Sequence, residues 1–148
     1  MTQILHKTAI TLTYPSGRTE NINLSYTDTS ITEIRNQEIV IPISTTITLW
    51  DTSDTSENIK TLAYAYLQNN SAGTLEYEFV VDDDGSVGEE LHTGVIPAGG
   101  HVDLLSNIAY ANHSAGDAFA GTKDVIERIR IKEPNGVVGS LHFILGGS

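Results

Sequence analysis

The chain has 148 residues, 39% of them hydrophobic and 18% charged, with 19 acids against 8 bases and a formal charge of −11. It contains no cysteine, which excludes a disulfide framework, a thiolate metal site and a cysteine nucleophile. So acidic a surface repels phosphate backbones and argues against nucleic acid as a partner.

Taken from the start, residues 1–7 lack a basic stretch followed by an apolar run and a small-residue cleavage site, so no signal peptide is expected. No apolar run approaches the ~20 residues of a membrane span, so no membrane partner is expected. From residue 8 onward apolar and polar residues alternate at period two, the pattern of antiparallel strands with one buried face. Residues 8–26 read as a hairpin around Pro15-Ser16-Gly17-Arg18, with Ile10, Leu12 and Tyr14 in its first strand and Ile22, Leu24 and Tyr26 in its second. It is either an N-terminal arm or part of the main body. Ser30 and Glu33 stand at capping-box spacing and allow a short helical turn at 31–36. Residues 38–50 form the longest strand candidate. Pro42 donates no ladder hydrogen bond and marks an edge or a bulge within it.

The polar loop 51–58 follows, then a hairpin of strands 59–68 and 74–81 around the turn 69–73. An acidic loop at 82–88 leads to short strands at 91–96 and 101–105, which flank Pro97-Ala98-Gly99-Gly100. Residues 106–122 are rich in Ala, Gly, Asn and Ser and exceed ordinary loop length, which predicts a functional loop or a short helix. Strands at 123–133 and 137–145 close the chain around Pro134-Asn135-Gly136, whose Asn-Gly pair is a hairpin signal. The prediction is all-β: one domain over 1–148, an antiparallel sandwich or jelly roll of eight or nine strands with little helix.

Motifs that carry chemistry are weak. Asp82-Asp83-Asp84-Gly85 resembles part of a calcium loop, but Gly85 at position 6 puts Val80 at position 1 and Leu91 at position 12, where oxygen ligands are needed. An acidic turn is the better reading, with a looser site using Glu89 or Glu90 as the alternative. His6, His92, His101, His113 and His142 have no metal-ligand spacing, although His92 and His101 flank one turn and could meet across a hairpin. There is no Gly-x-Ser-x-Gly, and Glu76 and Glu78 alternate with Tyr77 and Phe79, which puts both on a solvent face. No catalytic residue, cofactor or metal is expected. Tyr64, Tyr66 and Tyr77 read as core or cross-strand pairs. Trp50 ends a long strand beside a polar loop, a place for an aromatic at a subunit contact.

Three stretches carry a resemblance. Leu62-Ala63-Tyr64-Ala65-Tyr66-Leu67-Gln68-Asn69-Asn70-Ser71 is a strand ending in an Asn turn. Gly94-Val95-Ile96-Pro97-Ala98-Gly99-Gly100-His101-Val102-Asp103-Leu104 contains an Ile-Pro-Ala-Gly corner. Val125-Ile126-Glu127-Arg128-Ile129-Arg130-Ile131-Lys132 and Leu141-His142-Phe143-Ile144-Leu145-Gly146-Gly147 form a terminal strand pair. Over roughly 60–148 the chain resembles small β-sandwich structural proteins of tailed-phage virions. The resemblance implies a non-enzymatic capsid decoration (cement) protein, made in the host cytoplasm and located in the virion. It would bind the major capsid protein of the assembled shell, commonly as a homotrimer; a tail or neck component is the neighbouring reading. The alternative from another class is a carbohydrate-binding, lectin-like sandwich, which requires exposed aromatics in a row or a calcium site.

Self-association is also expected from the run Ile39, Ile41, Ile43, Ile47, Leu49 and Trp50, which looks like more apolar surface than one core needs. For shell docking two candidates stand: the acidic loops 51–58 and 82–90, or the stretch 106–122 with Tyr110 and Phe119 as buried anchors. The small-residue stretch is favoured, because charge runs are usually solvated faces.

Overall fold

The period-two stretches become strands. The computed structural model describes residues 4–13, 15–28, 31–81, 90–105, 110–111, 123–124 and 126–148. In chain order the strands are β1 (Ile4–Thr13), β2 (Thr19–Asp28), β3 (Glu33–Ile41), β4 (Thr46–Asp51), β5 (Leu62–Asn69) and β6 (Leu75–Val81). They continue with β7 (Glu90–Ile96), β8 (His101–Leu105), β9 (Tyr110–Ala111), β10 (Lys123–Asp124), β11 (Ile126–Lys132) and β12 (Gly139–Gly147). Among the described residues there is no helix, and hence none long and apolar enough to cross a membrane.

Eight strands build two four-stranded antiparallel sheets, β4-β11-β6-β7 and β3-β12-β5-β8. Counted along the chain as 1 to 8, these eight run 2-7-4-5 in one sheet and 1-8-3-6 in the other. That winding is a jelly roll, the double-sheet form in which two Greek keys wrap a shared core. The inner faces supply Ile41, Leu49, Trp50, Ala65, Leu67, Leu75, Phe79, Val81, Ile129, Ile131, Leu141, Phe143 and Leu145, all buried in one cluster. β12 shows the alternation most plainly, with Leu141, Phe143 and Leu145 buried between half-buried Ser140, His142 and Ile144. β1 and β2 pair only with each other through ten residue pairs, from Ile4↔Asp28 to Thr13↔Thr19. β9 and β10 form a separate two-residue ribbon.

The strands expected at 59–68 and 74–81, and at 123–133 and 137–145, do not pair as hairpins, because β5 and β6, and likewise β11 and β12, stand in different sheets and their links cross the sandwich. Two further sequence expectations are corrected here. The helical turn at 31–36 is replaced by the start of β3, an edge strand whose residues 33–41 pair with β12. A single capping-box pair without an apolar helical face behind it does not outweigh nine ladder partners. The strand expected over 38–50 is two strands in different sheets. Pro42 begins the corner between them, Thr45 N–H donates to Pro42 O at 3.2 Å, and Ser44 takes the left-handed backbone (φ 54°). The apolar run is thereby spent on the chain's own core. Ile41, Leu49 and Trp50 are buried, Ile39 and Ile47 pack against them, and Ile43 alone of the six is well exposed. The expectation of excess apolar surface in this run is therefore wrong.

Candidate functional site

Antiparallel winding sorts the connections to two ends. The links 42–45, 70–74, 97–100 and 133–138 all lie at one end, and each crosses from one sheet to the other. Three polar residues stitch these corners into one surface. Asn69, fully buried, donates from Nδ2 to Gly73 O (2.7 Å) and Ile96 O (2.9 Å), and its Oδ1 accepts the Ser71 N–H (2.8 Å) and the Ser71 hydroxyl. Its backbone exchanges hydrogen bonds with Gly99 and Gly100. The Asn turn and the Ile-Pro-Ala-Gly corner singled out in the sequence are thus one structural unit.

Glu133 does the same for the neighbouring corners. Its carboxylate accepts the backbone N–H groups of Asn135 (2.6 Å) and Gly136 (2.9 Å). Burial pushes this carboxyl upward, but the N–H groups of Asn135, Ser44 and Gly136 and the Asn135 side chain outweigh it and hold it below the usual range. Asn135 in turn donates from Nδ2 to Thr74 O at 2.7 Å. Gly99 (φ 69°) and Gly136 (φ 74°) take the left-handed conformations that let these tight crossings close.

At the opposite end the loop after β4 is built from two successive Asp-Thr-Ser turns. Asp51 Oδ1 accepts from Ser53 N (2.8 Å) and Oγ (2.6 Å), and Asp54 Oδ1 accepts from Ser56 N (2.8 Å) and Oγ (2.6 Å). The Ser53 hydroxyl is the main cause holding the Asp51 carboxyl low; burial opposes it, and the Ser53 N–H and Arg128 reinforce it. Arg35, pointing inward from the edge strand β3, closes the sandwich here. Its guanidinium lies 5.3 Å from the Phe143 ring centre and donates to Leu49 O (3.1 Å) and Glu57 (2.8 Å).

The residues singled out from sequence scatter. Trp50 is 1% exposed, and its indole Nε1–H donates to Ile59 O at 2.8 Å. It is a core residue, not a contact residue. Alternation with Ile47 and Leu49 would turn it outward, but a bulge opposite Ile129 and Arg130 makes Leu49 an extra residue and returns Trp50 to the inner face. Tyr110 lies in β9, where its backbone pairs with Asp124. Phe119 and the Asp82-Asp83-Asp84 loop lie outside the described residues. His92 and His101 do not meet. β7 and β8 belong to different sheets, so His92 stacks on Phe79 (5.3 Å) while His101 sits beside Tyr66 (5.6 Å) on the far side of the sandwich.

Tyr64 is buried, donating to Asp103 at 3.3 Å, and burial followed by the Asp103 charge pushes its phenol well up. Tyr66 stands half-buried between His101 and His142. Glu76 and Glu78 do take the outer face of their sheet, opposite Lys132 and Arg130 respectively, and with Thr46, Thr93 and Val95 line a shallow cleft of ≈580 Å3. Each carboxylate there faces a base across the ladder, an arrangement that neutralises charge rather than concentrating it. Among the described residues no three metal-ligating side chains converge. What the sequence reading missed is the stitched end itself, whose signal was four short connections with Glu133 as their one charged residue. No family model matches the chain, and no curated protein matches it significantly.

Proposed function

We propose that this chain is a non-enzymatic virion structural protein of the capsid-decoration kind, attaching to the major capsid protein of an assembled shell. The observation that carries this reading is the β1–β2 hairpin. Ten-residue strands pair with each other and with neither sheet of the sandwich. A two-stranded ribbon alone is marginally stable in water. Its exposed apolar residues Leu5 and Ile22 stand on opposite faces, among the exposed polar residues Lys7, Thr11, Asn21 and Asn23. A ribbon that pairs with neither sheet suits an arm that gains stability by lying on a larger surface, and a jelly roll supplies the rigid body that presents it. The lectin-like alternative draws less support, since Trp50 and Tyr64 are buried and no row of open aromatics remains among the described residues.

The test is co-sedimentation with assembled shells and, separately, with unassembled coat subunits. The expected outcome is pelleting with shells only, reduced at least tenfold by Ile22→Asp in the arm. Failure to pellet with shells rejects the reading, and retention on a sugar array in its place favours the alternative.

A further inference from the structure

Two of the cross-sheet links expose an asparagine followed by a small residue, Asn135-Gly136 and Asn70-Ser71. Such a pair is chemically labile. The amide nitrogen of the second residue bonds to the asparagine Cγ, the Cγ–Nδ2 bond breaks, and ammonia leaves with the proton that nitrogen gave up. Water then opens the resulting ring at either carbonyl and leaves aspartate or isoaspartate. Glycine in the second position reacts most readily, because no Cβ hinders the approach. Asn135-Gly136 is the only Asn-Gly pair in the chain.

In both links the attacking nitrogen is already engaged. Gly136 N–H donates to Glu133 Oε2 at 2.9 Å, and Ser71 N–H donates to Asn69 Oδ1 at 2.8 Å. Both acceptors belong to buried residues. The other Glu133 oxygen takes the Asn135 N–H at 2.6 Å, so the carboxylate is held from two sides. The Asn135 carboxamide is engaged too. Its Nδ2 donates to Thr74 O at 2.7 Å, and a Cβ at Gly73 would lie 3.0 Å from that nitrogen, which sets the amide hard against the neighbouring link. Ring closure needs the opposite arrangement, with the Gly136 nitrogen free of its proton and in attack position on the Asn135 Cγ.

We propose that Asn135 is a site of spontaneous deamidation whose rate in the folded protein is set by Glu133, which keeps the Gly136 nitrogen protonated. Two physical reasons fix the sign. A carboxylate beside the Gly136 N–H disfavours the amide anion that attacks, since two negative charges at hydrogen-bond distance repel. Glu133 is also a poor base for that proton. Burial raises its carboxyl, but the N–H groups of Asn135, Ser44 and Gly136 outweigh this and hold it below the usual range. The product alters the end that Asn135 holds together. Aspartate at 135 meets Thr74 O with an acceptor where a donor stood, and sets a second carboxylate beside Glu133. Isoaspartate adds a main-chain carbon to a tight link. Either product unfastens the 133–138 link from the 70–74 link.

The inference does not depend on shell binding. The full chain is incubated at mildly alkaline pH, folded in buffer and separately unfolded in urea, and conversion at Asn135 and Asn70 is followed by peptide mass spectrometry with isoaspartate detection. Asn135 is expected to convert roughly tenfold to a hundredfold more slowly in the folded chain, the range set by breaking one charge-assisted hydrogen bond. Glu133→Gln keeps the shape and removes the charge. It should speed conversion at Asn135 several-fold with the β circular dichroism spectrum retained, and leave Asn70 in the same molecule unchanged. If Glu133→Gln does not fold, Glu133→Asp, with the charge kept and the reach shortened, carries the same test. Equal rates in folded and unfolded wild type overturn the proposal. So does a Glu133 variant that slows conversion at Asn135 or leaves it unchanged, and so does one that speeds Asn135 and Asn70 alike, which would assign the effect to lost stability.

Discussion

Asn69 has all four of its side-chain hydrogen-bonding positions filled inside the protein: three partners lie in the link that follows it, at Ser71 and Gly73, and the fourth is the Ile96 carbonyl at the end of β7. Replacing it by Ala orphans the Ile96 and Gly73 carbonyls and the Ser71 N–H together. Unmade hydrogen bonds of buried groups cost ~1–3 kcal/mol each, partly recovered by water at the turn, so Asn69→Ala should destabilise by about 2–4 kcal/mol in urea unfolding. Glu133 gives a pH signature. Its carboxyl is lowered in the folded protein, so its contribution is fully present above the unfolded value near 4.5, declines as pH falls below it, and is gone once pH passes below the folded value. Glu133→Gln should be less stable at neutral pH and should lose part of the acid dependence between pH 4.5 and the folded value, read from thermal melts across that window. The wild-type slope persisting unchanged in Glu133→Gln would assign the acid sensitivity to other carboxylates.

At the scale of elements, what the alternation could state and what it could not separate cleanly. Strand existence was legible wherever period two ran unbroken, as over Leu75–Val81 and Gly139–Gly147. Sheet membership was not, because β3 and β4 alternate identically although Pro42 sends them to opposite sheets. Facing was legible for Glu76 and Glu78 and illegible for Trp50, because a bulge shifts the side-chain phase by one without any mark in the sequence. Nothing decides whether Tyr110 and Phe119 act as the expected docking anchors: the first is placed only by its backbone in β9, and the second lies outside the described residues. The last strand carries its own irregularity, a register shift between Gly146 and Gly147 against β5. A Cβ at Gly147 would overlap the Thr61 carbonyl oxygen and press the Ile59 side chain at 2.7 Å. Since backbone yields less readily than a side-chain tip, Gly147→Ala should cost about 1–3 kcal/mol in equilibrium unfolding, whereas Gly17→Ala, with open space around it but a φ of +79°, should show only the smaller backbone penalty.

At the scale of the whole molecule, the jelly roll gathers its four cross-sheet links at one end, and the proposed shell contact uses the arm. Its winding also sets a schedule. In each sheet the strand made last stands second from the edge, β11 between β4 and β6 and β12 between β3 and β5. Without them β3 has no neighbour, β4 has none, and within the two four-stranded sheets only the pairs β6–β7 and β5–β8 remain. Domains otherwise tend to fold from the N-terminus as the chain emerges. This one has to wait, with β3 and β4 unpaired, until the ribosome has delivered residues 126–147. Protease challenge of ribosome-bound chains of increasing length should therefore show digestion at every length short of β12 and an abrupt gain of resistance once it is out. Resistance appearing while β12 is still in the exit tunnel would contradict this order. A chain cut short before β12 leaves β3 without a neighbour in its sheet, so only a chain carrying that strand presents the finished jelly roll.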